Sequence, residues 1–242
     1  MLKYLLYQLI LLLTLSLLFV QNSLAFRGSD LTELEWNSWP DYCKAGFATS
    51  GWRKNTPYSK RVDSNWARKY NTTYSEINGI PGIHHFCVGM TFINRARANP
   101  KKKQLLEYAI SDIQYSFQRM KPTALKYSTV AAYLGKAYYG IGNRNKAISI
   151  WENGIAFKPK SPESYLAYAE ALLSEKKYNE ALKLLLQFDQ VKASPSAEAE
   201  YFLGHVYFKL GQYDKARLYA DNAFKLGYLL PGLRNRLKKI GK

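Results

Sequence analysis

Ala131-Ala-Tyr-Leu-Gly-Lys-Ala-Tyr138, followed by Ala147-Ile-Ser-Ile-Trp151 and then Pro159, is the stretch whose reading decides the fold. Leu134, Gly135 and Tyr138 share one side of a helix, and Ala147 and Trp151, four residues apart, share one side of a second. Between them Gly140-Ile-Gly-Asn143 supplies turn residues. The arrangement then returns twice. Tyr165, Tyr168, Ala169 and Leu172 precede Ala181 and Leu185, and Glu200, Leu203, Gly204 and Tyr207 precede Ala216, Ala220 and Ala223. The small residues at 135, 169 and 204 are 34 and 35 residues apart. Self-similarity at this period is the mark of stacked helical hairpins, each too small to bury its apolar face alone. A glycine or alanine belongs where the two helices of a hairpin cross, and the large flanking residues fill the space to the next hairpin. Ser174-Glu-Lys-Lys177 and Leu210-Gly-Gln212 are the corresponding turns. Ser161-Pro162 and Ser194-Pro195 read as N-caps with proline at the first helical position.

The pattern resembles the tetratricopeptide repeat (TPR): W-x2-L-G-x2-Y, then A-x3-F, then P, in units of about 34 residues. Ala131 replaces the first aromatic. Three units are expected within residues 122–230, at about 128–161, 162–195 and 197–230. The resemblance implies an all-α, TPR-type α-α superhelix, or solenoid. It also implies a concave groove, lined by the first helix of each hairpin, that holds a partner protein as an extended peptide or a helix. Carried onto this chain, the groove positions are Tyr133, Lys136 and Tyr139, then Leu166, Glu170 and Leu173, then Tyr201, His205, Phe208 and Lys209. Aromatic rings with one polar end suit binding hot spots. The Lys/Asn arrangement with which some TPR domains seize a C-terminal carboxylate is missing.

On either side of the repeats the signals change. Residues 82–121 read as a longer hairpin, with helices over 84–98 and 101–120 joined at Asn99-Pro100; Leu105, Tyr108, Ala109, Ile113 and Phe117 form its apolar stripe. The glycine/alanine spacing of the repeats fails there. Residues 26–81 mix Ser, Asn, Thr and Gly with Trp36, Trp39, Trp52 and Trp66, and carry a turn signal at Asn55-Thr-Pro57, so this segment reads as irregular, with short helices. Residues 231–242 read as a capping helix with Leu233, Leu237 and Ile240 on one stripe and a basic opposite face. A basic membrane-surface helix is the alternative.

The first 25 residues read as a signal peptide: Lys3, an apolar run from Tyr4 to Val20, then Ser23 and Ala25 in an A-x-A-like arrangement. An uncleaved signal anchor is the alternative, since the run nearly reaches the ~20 residues of a membrane span. The rest should be soluble. Cys43 and Cys87, 44 residues apart, are the two cysteines, and in an oxidising compartment they read as a disulfide worth about 4 kcal/mol by loop closure. The alternative is a metal site completed by His84 and His85, although neighbouring side chains on a helix point about 100° apart. The formal charge of +17, from 35 basic and 18 acidic residues, is spread over both halves of the chain. Anionic lipid or polysaccharide is a better counterpart than nucleic acid for an exported protein, and a solvated basic surface with no specific partner is the simplest reading.

Trp39-Pro40-Asp41-Tyr42-Cys43, His84-His85-Phe86-Cys87-Val88-Gly89 and Asn94-Arg95-Ala96 together resemble a family of exported, uncharacterised proteobacterial TPR proteins. The resemblance implies the periplasm of a Gram-negative bacterium, with an inner-membrane anchored form facing the periplasm as the alternative. It implies no activity. With three histidines and no nucleophile elbow, zincin motif or phosphate loop, the chain is expected not to be an enzyme and to need neither cofactor nor metal. The expected role is a protein–protein scaffold or adaptor for a cell-envelope assembly or export machine. A glycan- or lipid-binding module built on the tryptophan-rich segment is the rival. No nucleic acid is expected, and membrane contact only through the signal anchor or the basic surface.

Overall fold

The computed structural model describes residues 31–49, 58, 61–70, 79–97, 99 and 101–241; the expected signal segment, Trp52 and the turn at 55–57 lie outside them. The described residues are helical, without strands: α1 (Glu33–Ser38), α2 (Asp41–Thr49), α3 (Ile83–Ala96), α4 (Lys102–Phe117), α5 (Tyr127–Gly140), α6 (Arg144–Phe157), α7 (Pro162–Ser174), α8 (Tyr178–Val191), α9 (Ala197–Lys209), α10 (Tyr213–Lys225) and α11 (Gly232–Lys239). From α3 to α10 consecutive helices pair as antiparallel hairpins, and each hairpin packs on the next. The first helices, α3, α5, α7, α9 and finally α11, touch in series, whereas no two second helices share a main packing contact. Closer packing along one edge curves the stack, so the first helices line the inside. This is the TPR-type α-α solenoid that the repeat pattern predicts.

Steric fit at the crossing points explains the periodicity. A Cβ on Gly135 would lie 2.1 Å from Trp151 Nε1, and one on Gly204 would meet the α10 backbone at 3.1 Å. Trp151 is 1% exposed and donates its indole N–H to the Ala132 carbonyl at 3.2 Å. Ala147, Ala181 and Ala216, all fully buried, admit the same close approach from the second helices.

Four helix ends close with one device. After α5, the Gly142 and Asn143 amides donate to the Tyr139 and Tyr138 carbonyls. The paired bonds recur at Lys176 and Lys177 after α7, at Gly211 and Gln212 after α9, and at Gly227 and Tyr228 after α10. This is the Schellman cap, which needs a left-handed residue at its centre. Glycine supplies it three times, at φ of 88°, 74° and 93°, and Lys176 the fourth time, at 60°.

Two boundaries depart from expectation. α9 begins at Ala197, not at Pro195: Ser196 is the N-cap, its Oγ accepting from the Ala199 amide, so the Ser194-Pro195 pair stays in the connection. In α11, Leu233 and Leu237 are buried at 1% and 2%, but Ile240 is 46% exposed, so the capping stripe is two residues wide. Its apolar face packs on α9 and α10.

The first hairpin uses the same crossing with longer arms. A Cβ on Gly89 would sit 2.3 Å from Ile113 and 3.1 Å from the Ala109 carbonyl. Gly89 and Ala109 are thus a close-approach pair, 20 residues apart instead of the 12 that separate Gly135 from Ala147. Both helices run further past the crossing, and the turn between them is longer. Ahead of α4, Asn99 Oδ1 accepts the Lys101 amide at 2.8 Å.

The N-terminal segment is fastened to α3 through several of the motif residues quoted above. Thr32 and Glu35 form a capping box at the start of α1. Cys43 of α2 is bonded to Cys87 of α3, both fully buried, with Cα atoms 5.7 Å apart. Tyr42 stacks on Phe86, the Trp39 indole donates to Thr91 Oγ1 at 2.9 Å, and Arg95 grips Glu35 through Nε and Nη2 at 2.6 and 2.7 Å. Trp36 and Trp39, tilted against each other, both meet Phe47 edge to face and close the cluster.

Candidate functional site

The concave face is assembled from α3, α5, α7 and α9, with α11 at its far end. Lys136 and Tyr139 of α5 and Glu170 of α7 come together where these first helices pack side by side. Neighbouring helices are tied across it by polar pairs. Lys136 Nζ meets Glu170 Oε2 at 2.7 Å. The Tyr139 hydroxyl lies 2.8 Å from Ser174 Oγ and donates to Glu175 Oε1 at 3.2 Å. Arg144 grips Glu175 through two N–H donors at 2.7 and 2.9 Å, and Lys177 adds a contact at 3.0 Å. The Arg144 guanidinium, aided by Lys177 and opposed by burial, holds the Glu175 carboxyl at about 2. Thr129 donates to Glu163 Oε1 at 3.2 Å, while Oε2 of that carboxylate is buried without a hydrogen-bond partner among the described residues.

Tyr133 sits between hairpins, its ring edge-on to Phe86 at 5.6 Å, and burial raises its phenol, with nearby Arg97 opposing. Leu166 and Leu173 are half-buried and pack in the core shared with the third repeat. On α9, Tyr201 stacks on Tyr228 at 4.3 Å and faces His205 at 6.1 Å. Arg236 of α11 donates to His205 Nε2 at 2.9 Å, and burial, then Arg236 and Lys209, lower the imidazole. Phe208 lies edge-on to Tyr213, and Lys209 is exposed.

The structure brings three of these positions, Lys136, Tyr139 and Glu170, to the border of one pocket of about 310 Å³. Its floor is apolar and buried, from Ile93, Ala96, Leu106, Trp151, Ala167 and Ala171. Its rim adds two cations that the repeat pattern did not point to: Arg97, just past α3, and Lys102, the first residue of α4. They come from the long connection of the first hairpin, whose path no 34-residue register fixes. Tyr133, Leu166, Leu173 and the four α9 residues lie outside this pocket.

The metal alternative loses its sulfur ligands, because both cysteines are spent on each other. His85 Nδ1 pairs with Asp112 Oδ1 at 2.7 Å, tying α3 to α4; burial raises that carboxyl and His85 opposes the rise. Among the described residues no three His, Cys, Asp or Glu side chains gather as a metal-binding group, and no helix is long and apolar enough to cross a membrane.

Residues 126–223 match the family model described as anaphase-promoting complex, cyclosome, subunit 3, a TPR-like repeat family. The match covers 98 of the 242 residues and supports a TPR protein. Among solved structures the chain is similar to the MamA RS-1 ArsTM double mutant, at 19% identity over 62% of this chain and 80% of that one, with a TM-score of 0.43. No curated protein matches.

Proposed function

We propose that this protein is an exported, non-enzymatic TPR scaffold that holds a partner protein on its concave face, serving a cell-envelope assembly or export machine in the periplasm of a Gram-negative bacterium. The observation that carries the reading is the pocketed concave surface itself: consecutive first helices present an apolar floor and mixed charges to an open side. TPR-like folds hold partners at such surfaces. The leader-like first 25 residues and the Cys43–Cys87 bond support export.

The tryptophan-rich alternative has less to offer a glycan. Trp36 and Trp39 are 4% and 5% exposed, and the Trp39 indole N–H is already bonded. Of the described tryptophans in that segment, Trp66 keeps a substantial exposed face, at 39%.

Site-specific photo-crosslinking in the producing cell tests the proposal. A photoreactive residue at Glu170 or Lys209, on the concave side, should yield a discrete protein adduct, and one at Lys183 or Arg217, on second helices, should not. Adducts confined to the latter pair would overturn the groove reading. Fractionation should place the mature chain, cleaved after Ala25, in the periplasm; a cytoplasmic full-length chain would remove the export claim.

A further inference from the structure

We infer that the pocket bounded by α3, α4, α5 and α7 seats one anchor of the partner: an extended acidic segment that places a carboxylate beside a large apolar side chain. The inference rests on the groove reading above and names the chemistry of what enters it.

Charge at the rim is unbalanced. Three cations, Arg97, Lys102 and Lys136, face a single carboxylate, Glu170, which is already engaged with Lys136 at 2.7 Å. Arg97 and Lys102 are both exposed, and neither forms an ion pair among the described residues. Two unmatched cations therefore border an apolar floor that includes the buried ring of Trp151. A carboxylate brought to this rim is partly removed from water, where its attraction to a guanidinium strengthens. Arg97 can take it with two parallel N–H donors, and Lys102 adds a point charge. Complementary charge of this kind chooses partners and aids encounter more than it adds raw affinity.

Apolar burial must supply the rest. The volume, about 310 Å³, lies at the lower end of the range for small-molecule sites. That suits one large side chain and its neighbour, not the face of a whole helix. An extended segment also suits the polar groups at hand, since Ser174 Oγ, Tyr139 and Lys136 line the same wall. A partner segment of alternating acidic and apolar residues would reach rim and floor together, because successive side chains of an extended strand point to opposite sides.

The test uses the mature chain and a fluorescein-labelled octapeptide of alternating leucine and glutamate, read by fluorescence anisotropy. Replacing the glutamates by glutamine, or the leucines by serine, should each weaken binding about tenfold, as should Arg97→Glu combined with Lys102→Glu. Lys225→Glu combined with Lys239→Glu removes the same charge at the far end of the array and should change affinity less than twofold. Circular dichroism should show all variants folded, since the four side chains are exposed. Equal binding of the glutamine peptide, equal loss from the distant pair, no binding of any peptide, or a polyuronate binding through Arg97 and Lys102 while the peptide does not would each overturn the inference. If the peptide fails while photo-adducts at Glu170 persist, the anchor is wrong and the groove reading stands. Loss of both removes the groove reading as well.

Discussion

Lys176→Gly should stabilise this protein, although the substitution removes a side chain and adds none. Four Schellman caps share one geometry, and Lys176 is the one residue with a side chain placed at φ above zero among the described residues. An L-residue in the left-handed region costs roughly 1–2 kcal/mol through the approach of Cβ to the carbonyl. Glycine avoids that cost but loses more freedom on folding, by roughly 0.5–1 kcal/mol. The difference favours glycine by about 0.5–1 kcal/mol, equivalent to a rise in Tm of about 1–4 °C for a chain of this size. Nothing offsets the gain among the described residues, where the Lys176 side chain is exposed and forms no ion pair. The reverse experiment isolates the same strain. Gly142 and Gly211 have φ of 88° and 74°, and a Cβ on either would meet nothing within 4 Å. Gly142→Ala and Gly211→Ala should therefore each cost about 1 kcal/mol through the backbone alone. Urea denaturation followed by circular dichroism measures all three. If Lys176→Gly leaves the midpoint unchanged or lowers it, and Gly142→Ala is neutral, the reasoning about these caps is refuted.

Other outcomes follow from the packing. Gly135→Ala places Cβ inside the Trp151 ring, which is fully buried and tethered to Ala132, so unfolding free energy should fall by about 2–3 kcal/mol in the same assay. Cys43→Ser combined with Cys87→Ser should cost about 3–4 kcal/mol, and intact mass without reductant should show the wild-type chain two hydrogens lighter than the reduced form. The Glu175 carboxyl titrates at about 2 in the folded chain against 4.5 when free, so its contribution is full above pH 4.5 and drains away as pH falls towards 2. Glu175→Gln should flatten the stability profile over that window; a profile unchanged in slope would mean that the Arg144 clamp does not act as described.

The three repeats are legible in the sequence because steric exclusion at 135, 169 and 204 demands small residues, and small residues at a fixed period stand out. The first hairpin hides the same crossing. Gly89 meets Ala109 after longer helical arms, so the shared contact leaves a different spacing. A Ser-Pro pair is a good cap signal wherever it stands, yet at the start of α9 it is Ser196 Oγ that accepts the Ala199 amide, and Ser194-Pro195 stays in the connection. Motifs around Cys43 and Cys87 pointed to a disulfide, but not to Glu35–Arg95 or Trp39–Thr91, which join residues 60 and 52 positions apart. Of the expected groove positions, Lys136, Tyr139 and Glu170 border the pocket. Arg97 and Lys102 enter the pocket from a connection that obeys no period, and only the packed structure brings them there.

The two ends of this array are secured differently. At one, a covalent bond and a bidentate ion pair join α2 and α1 to α3; at the other, two buried leucines and the largely solvent-facing Arg236–His205 and Arg234–Asp221 pairs hold α11 in place. In a stack whose members touch only their neighbours, opening spreads one hairpin at a time from whichever end is looser. Unzipping should therefore run in one direction, with amide protons exchanging first in α11 and α10 and last around α3 and α4. Adding reductant would loosen the sewn end and make the order of exchange more nearly symmetric. The bond thus acts as a ratchet on fraying, keeping the hairpin that carries Arg97 and Lys102 folded while the far end breathes.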